Sequence, residues 1–486
     1  MARKAAIAIV AIAAIVGALY VAGFRVALDG SGMFPRFMSA APDYDALEAD
    51  RARQRAVAAP PVPPEGGAPV ESASPTASPV TAPESSSESI TSAERAPRQA
   101  SLAVWPDFRG PSRDGRSSES IRLDWPAEGL RRLWKQPIGL GYASFVVAGG
   151  RAFTIEQRRR QEVVAAYDVE TGRELWTNAW EGEFVETMGG DGPRATPTYH
   201  DGRIYALGAL GEFRSLDAAT GAVVWRRNIL DENAASNLDW GMSASPLIVD
   251  DKVIVLPGGG GGRSVVAYNR ATGDVVWRVL DDRQAYVSPM LVTLAGRRQI
   301  VVVSATRAAS LDPVAGALLW QYPWPTGQGI NVAQPVLLGN DRVFLSASYG
   351  QGAAAFQVER DGDRFTTRTI WENSRMKNKF TSSLLHEGYL YGLDESIMAC
   401  IDAATGELKW KGGRYGYGQP IIAGGHLVVL TEAGDVVLVR ATPERHDELA
   451  RFSAIEGKTW NHPVIANGRL LVRNLREMAA FDIRPR

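Results

Sequence analysis

The chain has 486 residues but only one cysteine, Cys400, which excludes an internal disulfide and any CxxC metal or haem site. Its 53 Lys and Arg residues are balanced by 54 Asp and Glu residues, so no basic excess indicates nucleic-acid binding. The five histidines lack metal-ligand spacing, and "PGGGGGR" at 257–263 lacks the Lys-Ser/Thr of a phosphate-binding loop. Since a nucleophile elbow is also missing, the sequence shows no hydrolase or zinc-enzyme motif.

The N-terminal segment contains a long apolar run, residues 5–24, which follows Arg3 and Lys4. Twenty helical residues span about 30 Å, the thickness of a bilayer core. Residues 1–25 are therefore predicted to be a single-pass helix in a bacterial inner membrane, with the remainder of the chain in the periplasm. A cleavable export signal is the alternative, and no cysteine follows the run for lipid attachment.

Composition predicts the next boundaries. Residues 26–58 form a juxtamembrane segment, in which 41–58 are rich in Ala, Leu, Glu and Arg and favour a short helix. Residues 59–101 are dominated by Pro, Ser and Ala and are predicted to be a disordered tether, because they bury too little apolar surface. A lead-in segment, 102–129, precedes a repeat region at 130–486.

The repeat region returns to one phrase, seen in "AYDVETGRELW" at 166–176 and "CIDAATGELKW" at 400–410. Its Asp favours a turn, and its Gly supplies the positive φ of a tight hairpin that ends in a Trp. We assign the tryptophans to docking between neighbouring units, together with the turn glycines. These residues are Trp134, Trp176, Trp225, Trp277, Trp320, Trp371, Trp410, Gly172, Gly221, Gly273, Gly316 and Gly406.

With Phe452 as an eighth member, these docking positions recur at intervals of 39 to 52 residues, the period of propeller blades. The last unit ends at Asp482, before its fourth strand, which "LRRLWKQ" at 130–136 can supply. The predicted fold is an all-β, eight-bladed β-propeller of four-stranded antiparallel blades, preceded by a transmembrane helix and a disordered linker.

A second recurring motif, such as "SASP" at 243–246, places one polar residue before the innermost strand of each blade. These positions and the aromatic or basic residues two places earlier converge on one mouth of the central channel. They either cap the inner strands and hold channel water, or form a pocket with Arg194 as its anion-binding group. The candidate ligand- or cofactor-binding ring is Tyr142, Ser144, Arg194, Thr196, Ser245, Tyr286, Ser288, Gln334, Ser382, Tyr417, Gln419, Trp460 and His462.

The repeated phrase and the lead-in "WPDFRGPSRDG" at 105–115 resemble the pyrroloquinoline quinone (PQQ)-binding-like β-propeller repeat proteins over 105–486. That superfamily holds calcium-dependent quinoprotein alcohol dehydrogenases and non-catalytic outer-membrane assembly factors of the BamB type. The dehydrogenases commonly have adjacent cysteines beside the quinone, which one cysteine cannot provide. They bind Ca²⁺ through Glu, Asn and Asp. The residues of this chain to compare with those ligands are Glu186, Asn237 and Asp239, which lie in loops.

Two functions follow from the resemblance. The first is a membrane-anchored, periplasm-facing scaffold that binds cell-envelope proteins, with no catalytic residues and no metal. The alternative is a PQQ- and Ca²⁺-dependent oxidoreductase, or a degenerate relative that still binds a ligand in the channel.

Overall fold

The computed structural model describes residues 2–21, 24–29, 32–37, 44–58 and 105–486. The predicted disordered linker, 59–101, lies outside the described residues. Two helices, a hairpin and one strand of the lead-in come before the repeat region, and β4 is the first strand of that region: α1 Ala2–Val21, β1 Phe24–Asp29, β2 Gly32–Phe37, α2 Tyr44–Ala58, β3 Arg116–Ser117 and β4 Arg132–Pro137.

The first four blades contain four strands each, numbered outward from the ring axis. Blade 1 is β5 Val146–Ala148, β6 Arg151–Arg158, β7 Gln161–Asp168 and β8 Glu174–Glu181. Blade 2 is β9 Thr198–His200, β10 Arg203–Leu207, β11 Glu212–Asp217 and β12 Val223–Asn228, and a 3₁₀ turn, Asp231–Asn233, follows it. Blade 3 is β13 Leu247–Val249, β14 Lys252–Val255, β15 Val265–Asn269 and β16 Val275–Val279. Blade 4 is β17 Met290–Leu294, β18 Arg297–Val303, β19 Arg307–Leu311 and β20 Leu318–Pro323.

The remaining blades repeat this pattern and close the ring. Blade 5 is β21 Val336–Leu337, β22 Arg342–Ala347, β23 Gly352–Asp361 and β24 Arg364–Asn373. Blade 6 is β25 Leu384–His386, β26 Tyr389–Asp394, β27 Ile397–Asp402 and β28 Leu408–Arg414. Blade 7 is β29 Gln419–Ala423, β30 His426–Leu430, β31 Asp435–Arg440 and β32 Glu448–Ser453. Blade 8 is β33 Val464–Ala466, β34 Arg469–Arg473, β35 Glu477–Asp482 and, as its outer strand, β4.

The predicted eight-bladed, four-stranded propeller is confirmed, including its closure. Strand β4, at the start of the repeat region, pairs antiparallel with β35, so that Trp134 lies opposite Ala480. Every blade has a register shift between its third and fourth strands. Such bulges increase the local twist of the strands.

The turn and the tryptophan belong to one contact between two blades. The carboxylate of Asp168 accepts hydrogen bonds from the backbone N–H groups of Glu170 and Thr171, which fixes the turn of blade 1. The indole of Trp134 in blade 8 covers this turn and donates to the Val169 carbonyl at 3.0 Å. A Cβ on Gly172 would lie 2.6 Å from that indole, so the space as well as the φ of +70° requires glycine.

The same arrangement recurs at other junctions. Trp176, Trp225 and Trp277 pack over Gly221, Gly273 and Gly316 in the next blade, and Trp371 packs over Gly406. Trp410 donates to the Thr442 carbonyl of blade 7, whereas Trp320 packs edge-on against Phe356 of blade 5. Neighbouring blades are therefore joined by buried aromatic side chains.

The predicted N-terminal membrane span receives no support from the structure. Over the residues described, no helix is sufficiently long and apolar to cross a membrane. Helix α1 covers Ala2–Val21, and the side chains of residues 1–10 are outside the described set.

Gly273 separates the two reasons for a turn glycine. We expect Gly273→Ala to lower the free energy of unfolding by about 2–4 kcal/mol. The φ of +77° is unfavourable for alanine, and the added Cβ would lie 2.8 Å from the Trp225 indole. Gly296→Ala is the matched control, since Gly296 has a φ of +72° but open space around it. Urea unfolding measures both, and equal losses would contradict the indole contact.

Glu162 links blades 1 and 2 and makes their contact sensitive to pH. Its buried carboxylate accepts from Ala209 N–H at 2.7 Å and Trp180 Nε1 at 2.9 Å, and burial raises its pKa to about 7. Because this pKa is above the usual value, its stabilising contribution is complete below about pH 4.5 and is lost as pH rises through 7.

We expect the stability of the native chain relative to Glu162→Gln to fall by roughly 2–3 kcal/mol between pH 4.5 and 8. Urea unfolding across this range measures the difference. The control, Glu183→Gln, alters an exposed carboxylate and should give a flat difference. A flat profile for Glu162→Gln as well would show that burial does not perturb Glu162.

Candidate functional site

The lead-in segment crosses the centre of the ring. At its start Trp105 forms a backbone bridge with Val147 in blade 1, and at its end β3 pairs in parallel with β29 in blade 7. Between these points Arg113 reaches blades 3 and 4, while Arg109 reaches blade 6. We call residues 105–117 the plug, because they fill the channel at one end.

Buried charges hold the plug in place. Arg113 donates to the carbonyls of Ser245 at 3.2 Å and Pro289 at 2.7 Å, and it pairs with Asp107 at 2.6 Å. Burial raises the pKa of Asp107, although the nearby Arg113 opposes the shift. Burial also lowers the pKa of Arg109 to about 10, and Arg109 donates to the Ser383 carbonyl. The plug is therefore an integral part of the core.

The polar residues of the second recurring motif link one inner strand to the next. Ser144 N–H donates to Thr196 Oγ1 at 2.9 Å, and Ser144 Oγ donates to the His462 carbonyl at 2.6 Å. On the opposite side a chain of such bonds runs through Ser245, Ser288, Gln334 and Ser382, and Gln419 donates to the Phe380 carbonyl. The geometry of these side chains is thus that of strand caps.

Above the plug lies a cavity of about 650 Å³. Among the residues proposed from the sequence, six line this cavity: Tyr142, Arg194, Tyr286, Ser288, Trp460 and His462. The other seven, Ser144, Thr196, Ser245, Gln334, Ser382, Tyr417 and Gln419, are buried around it and do not line it. The structure therefore brings the aromatic members of the ring other than Tyr417 to the cavity and leaves most of the polar ones buried around it.

Aromatic rings form the walls. Tyr142 stacks on Trp460 with centroids 5.2 Å apart, and Phe380 lies 4.7 Å from Trp460. Across the cavity Trp240 meets Tyr286 edge-on at 5.8 Å. These rings offer flat apolar surfaces to a ligand.

Arg194 is held by its own loop. Its guanidinium lies 4.8 Å from the Phe184 ring and 5.5 Å from the Tyr142 ring. Its Nη1 and Nη2 atoms donate to the carbonyls of Gly192 and Gly190, at 2.6 and 2.7 Å. Burial lowers its pKa. Both terminal nitrogens thus bind backbone oxygens, which weakens the idea of Arg194 as an anion-binding group.

Sequence reasoning missed several cavity residues. Phe108 of the plug forms the floor, 5.0 Å from the His462 ring, and burial keeps the pKa of His462 well below its usual value. Lys379, Tyr349 and Glu395 line the side wall. Phe108 lies in "WPDFRG", but nothing in that phrase predicts a place on the ring axis.

Comparison with known proteins identifies the family. The family model described as outer membrane protein assembly factor BamB matches residues 125–239 and 159–412, more than half of the chain. The chain belongs to the BamB family. BamB of Burkholderia pseudomallei is 23% identical over 322 residues, which are 63% of this chain and 76% of that protein.

Solved structures show the same fold. BamB from Moraxella catarrhalis superposes with a TM-score of 0.50 and 18% identity, over 72% of this chain and 97% of that one. A europium-containing methanol dehydrogenase gives a TM-score of 0.58 and 13% identity, over 78% and 98%. At these identities the likeness concerns the fold alone, so BamB-like and dehydrogenase-like activities must be separated by the chemistry of the site.

Two of the three residues suggested for Ca²⁺ bind backbone groups of their own chain. The Glu186 carboxylate accepts backbone N–H groups of its own loop, at 2.9 Å from Met188 and 3.3 Å from Gly190. Asn237 binds the Ala209 carbonyl, and Asp239 is exposed. Over the described ranges, no three His, Cys, Asp or Glu side chains are grouped to hold a metal ion. Cys400 is buried within blade 6, away from the cavity lining.

Glu186 provides a direct test. We expect Glu186→Ala to increase backbone exchange of residues 184–194 and to lower the thermal midpoint, because three N–H groups lose their acceptor. Millimolar Ca²⁺ should not change the midpoint of the native chain. Calorimetry measures the midpoint, with Glu183→Ala as the exposed control. A Ca²⁺-dependent rise that Glu186→Ala removes would instead assign Glu186 to a metal site.

Proposed function

We propose that this chain is a non-catalytic, protein-binding module of the bacterial cell envelope that takes part in the assembly of outer membrane proteins. Membership of the BamB family, whose characterised relatives are named outer membrane protein assembly factors, supports this proposal. In the proposal, residues 5–24 attach the chain to the inner membrane and the propeller lies in the periplasm. The attachment rests on the sequence alone.

The observation that carries the proposal is the cavity. It is closed at one end by the plug and walled by aromatic rings, while Arg194 and Glu186 are engaged in holding their own loop. An extended protein segment needs apolar surface for its side chains and backbone groups for its amides, and such a mouth offers both.

A closed channel also restricts how a partner binds. Phe108 and the arginines of the plug lie across one end of the channel, which disfavours the threading of a polypeptide along the axis. The partner inserts a loop, a chain end or a few side chains from the open face. Trp240 and Phe380, both half-buried at this face, are the contacts we expect to dominate the binding free energy.

The proposal is tested in cells that lack the chain. Full-length chain should restore the amount of folded outer membrane β-barrel protein, whereas the double variant Trp240→Ser/Phe380→Ser should not, at equal protein level. Val314→Ser is the control, because Val314 is an exposed apolar residue in a turn of blade 4.

The outcomes separate the two candidate functions. If the double variant fully restored the amount of folded β-barrel protein, the cavity would not be part of the binding surface. If the native chain restored none, the assembly role would be wrong. Turnover of an alcohol by the purified full chain, dependent on both PQQ and Ca²⁺, would favour the quinoprotein oxidoreductase.

A further inference from the structure

Helix α2 lies across the junction between the last and the first blade. On one side Arg51 donates from Nη2 to the carbonyl of Pro137, in the outer strand of blade 8, at 3.4 Å. On the other side Gln54 Oε1 accepts from the backbone N–H of Glu174, in the outer strand of blade 1, at 2.9 Å. A single helix thus contacts both blades where the ring closes.

The helix supplies positive charge to buried carboxylates. Glu156 and Glu174 in blade 1 are fully buried, and both pair with Arg158 of the same blade. From α2, Arg55 pairs with Glu174, and Arg51 is itself 4% exposed. Burial raises the pKa of Glu156, but the charges of Arg158, Arg51 and Arg473 outweigh it and bring the pKa to about 2. Without α2 these carboxylates would lose two of their cations.

Acidic residues of α2 complete the contact. Glu48 lies 3.0 Å from Arg55 within the helix and 3.4 Å from Arg158 of blade 1, and Asp45 pairs with Arg159. Charges of both signs therefore alternate across the surface. A buried or half-buried network of this kind fixes one register of the helix on the blade more than it adds stability.

The junction beneath α2 lies next to the seam of the ring. The two ends of the repeat region meet inside blade 8, where β4 pairs with β35, and β4 then runs on directly into blade 1. Arg473 of blade 8 bridges the junction, donating to Thr154 Oγ1 at 2.7 Å and to the Ile155 carbonyl at 3.3 Å. Helix α2 spans the same junction on the outside, through β4 of blade 8 and β8 of blade 1.

We infer that α2 is a clasp that fastens blade 1 to β4, the outer strand of blade 8. The last residue of the clasp, Ala58, and the first residue of the plug, Trp105, both belong to elements fixed on the propeller. The tether predicted over 59–101 would instead leave α2 detached from the propeller.

Hydrogen exchange of the intact full chain tests the clasp. A lone 15-residue helix is marginal in water, so slow exchange over 44–58 requires docking. We expect Arg51→Ala/Arg55→Ala to speed this exchange by about tenfold or more, because charged hydrogen bonds to buried groups are lost. Arg53→Ala is the control, since Arg53 is exposed and binds only Asp50 of its own helix. Equally fast exchange in all three proteins would overturn the clasp.

A second measurement needs no substitution at the interface. A site-specific protease sequence is inserted after Gly67, and the chain carries a tag at its N-terminus. After cleavage, the tagged piece that contains α2 should retain the propeller on the affinity resin. Immediate release of the propeller, together with fast exchange over 44–58 in the uncut chain, would restore the tether interpretation.

Discussion

The contact of an indole with the turn of the next blade is the constraint on which the rest of the fold depends. At Trp134 and Gly172, as at Trp225 and Gly273, the ring occupies the place of a missing Cβ and donates to a turn carbonyl. The turn of one blade is therefore covered by an indole that belongs to the neighbouring blade. Since each of these contacts needs the next blade, the arrangement is satisfied only when the ring closes, which explains why β4 must return to β35.

Closure of the ring has a consequence at its axis. The inner strands bring polar residues from eight blades together, and most of these bond to one another. The remaining space is taken on one side by the plug. Its arginines bind strand-end carbonyls such as those of Ser245 and Ser383, which would otherwise face an empty channel. What is left is one cavity with aromatic walls.

The sequence predicted those parts of the molecule that repeat. Asp168, Gly172 and Trp176 recur at fixed spacing, so the hairpins, the blade number and the closing strand could be derived from local rules. The plug and the clasp occur once each, and their arginines bind backbone carbonyls or buried carboxylates that no spacing reveals. Arg194 is a further example of what spacing does not reveal. Its residue type suggested an anion-binding group, whereas in the structure its guanidinium donates to two carbonyls of its own loop, at 2.6 and 2.7 Å.

The distribution of charge argues for binding by shape and apolar surface. Around the cavity Glu186 and Arg194 stabilise one loop, and in the plug Asp107 and Arg113 neutralise each other. Charges already paired inside the protein attract a charged ligand only weakly. Removal of one partner leaves the other charge buried and unpaired, which destabilises the fold. The aromatic walls, by contrast, gain free energy from any apolar group that displaces water from them. Walls of this kind can therefore accept apolar groups of varied shape.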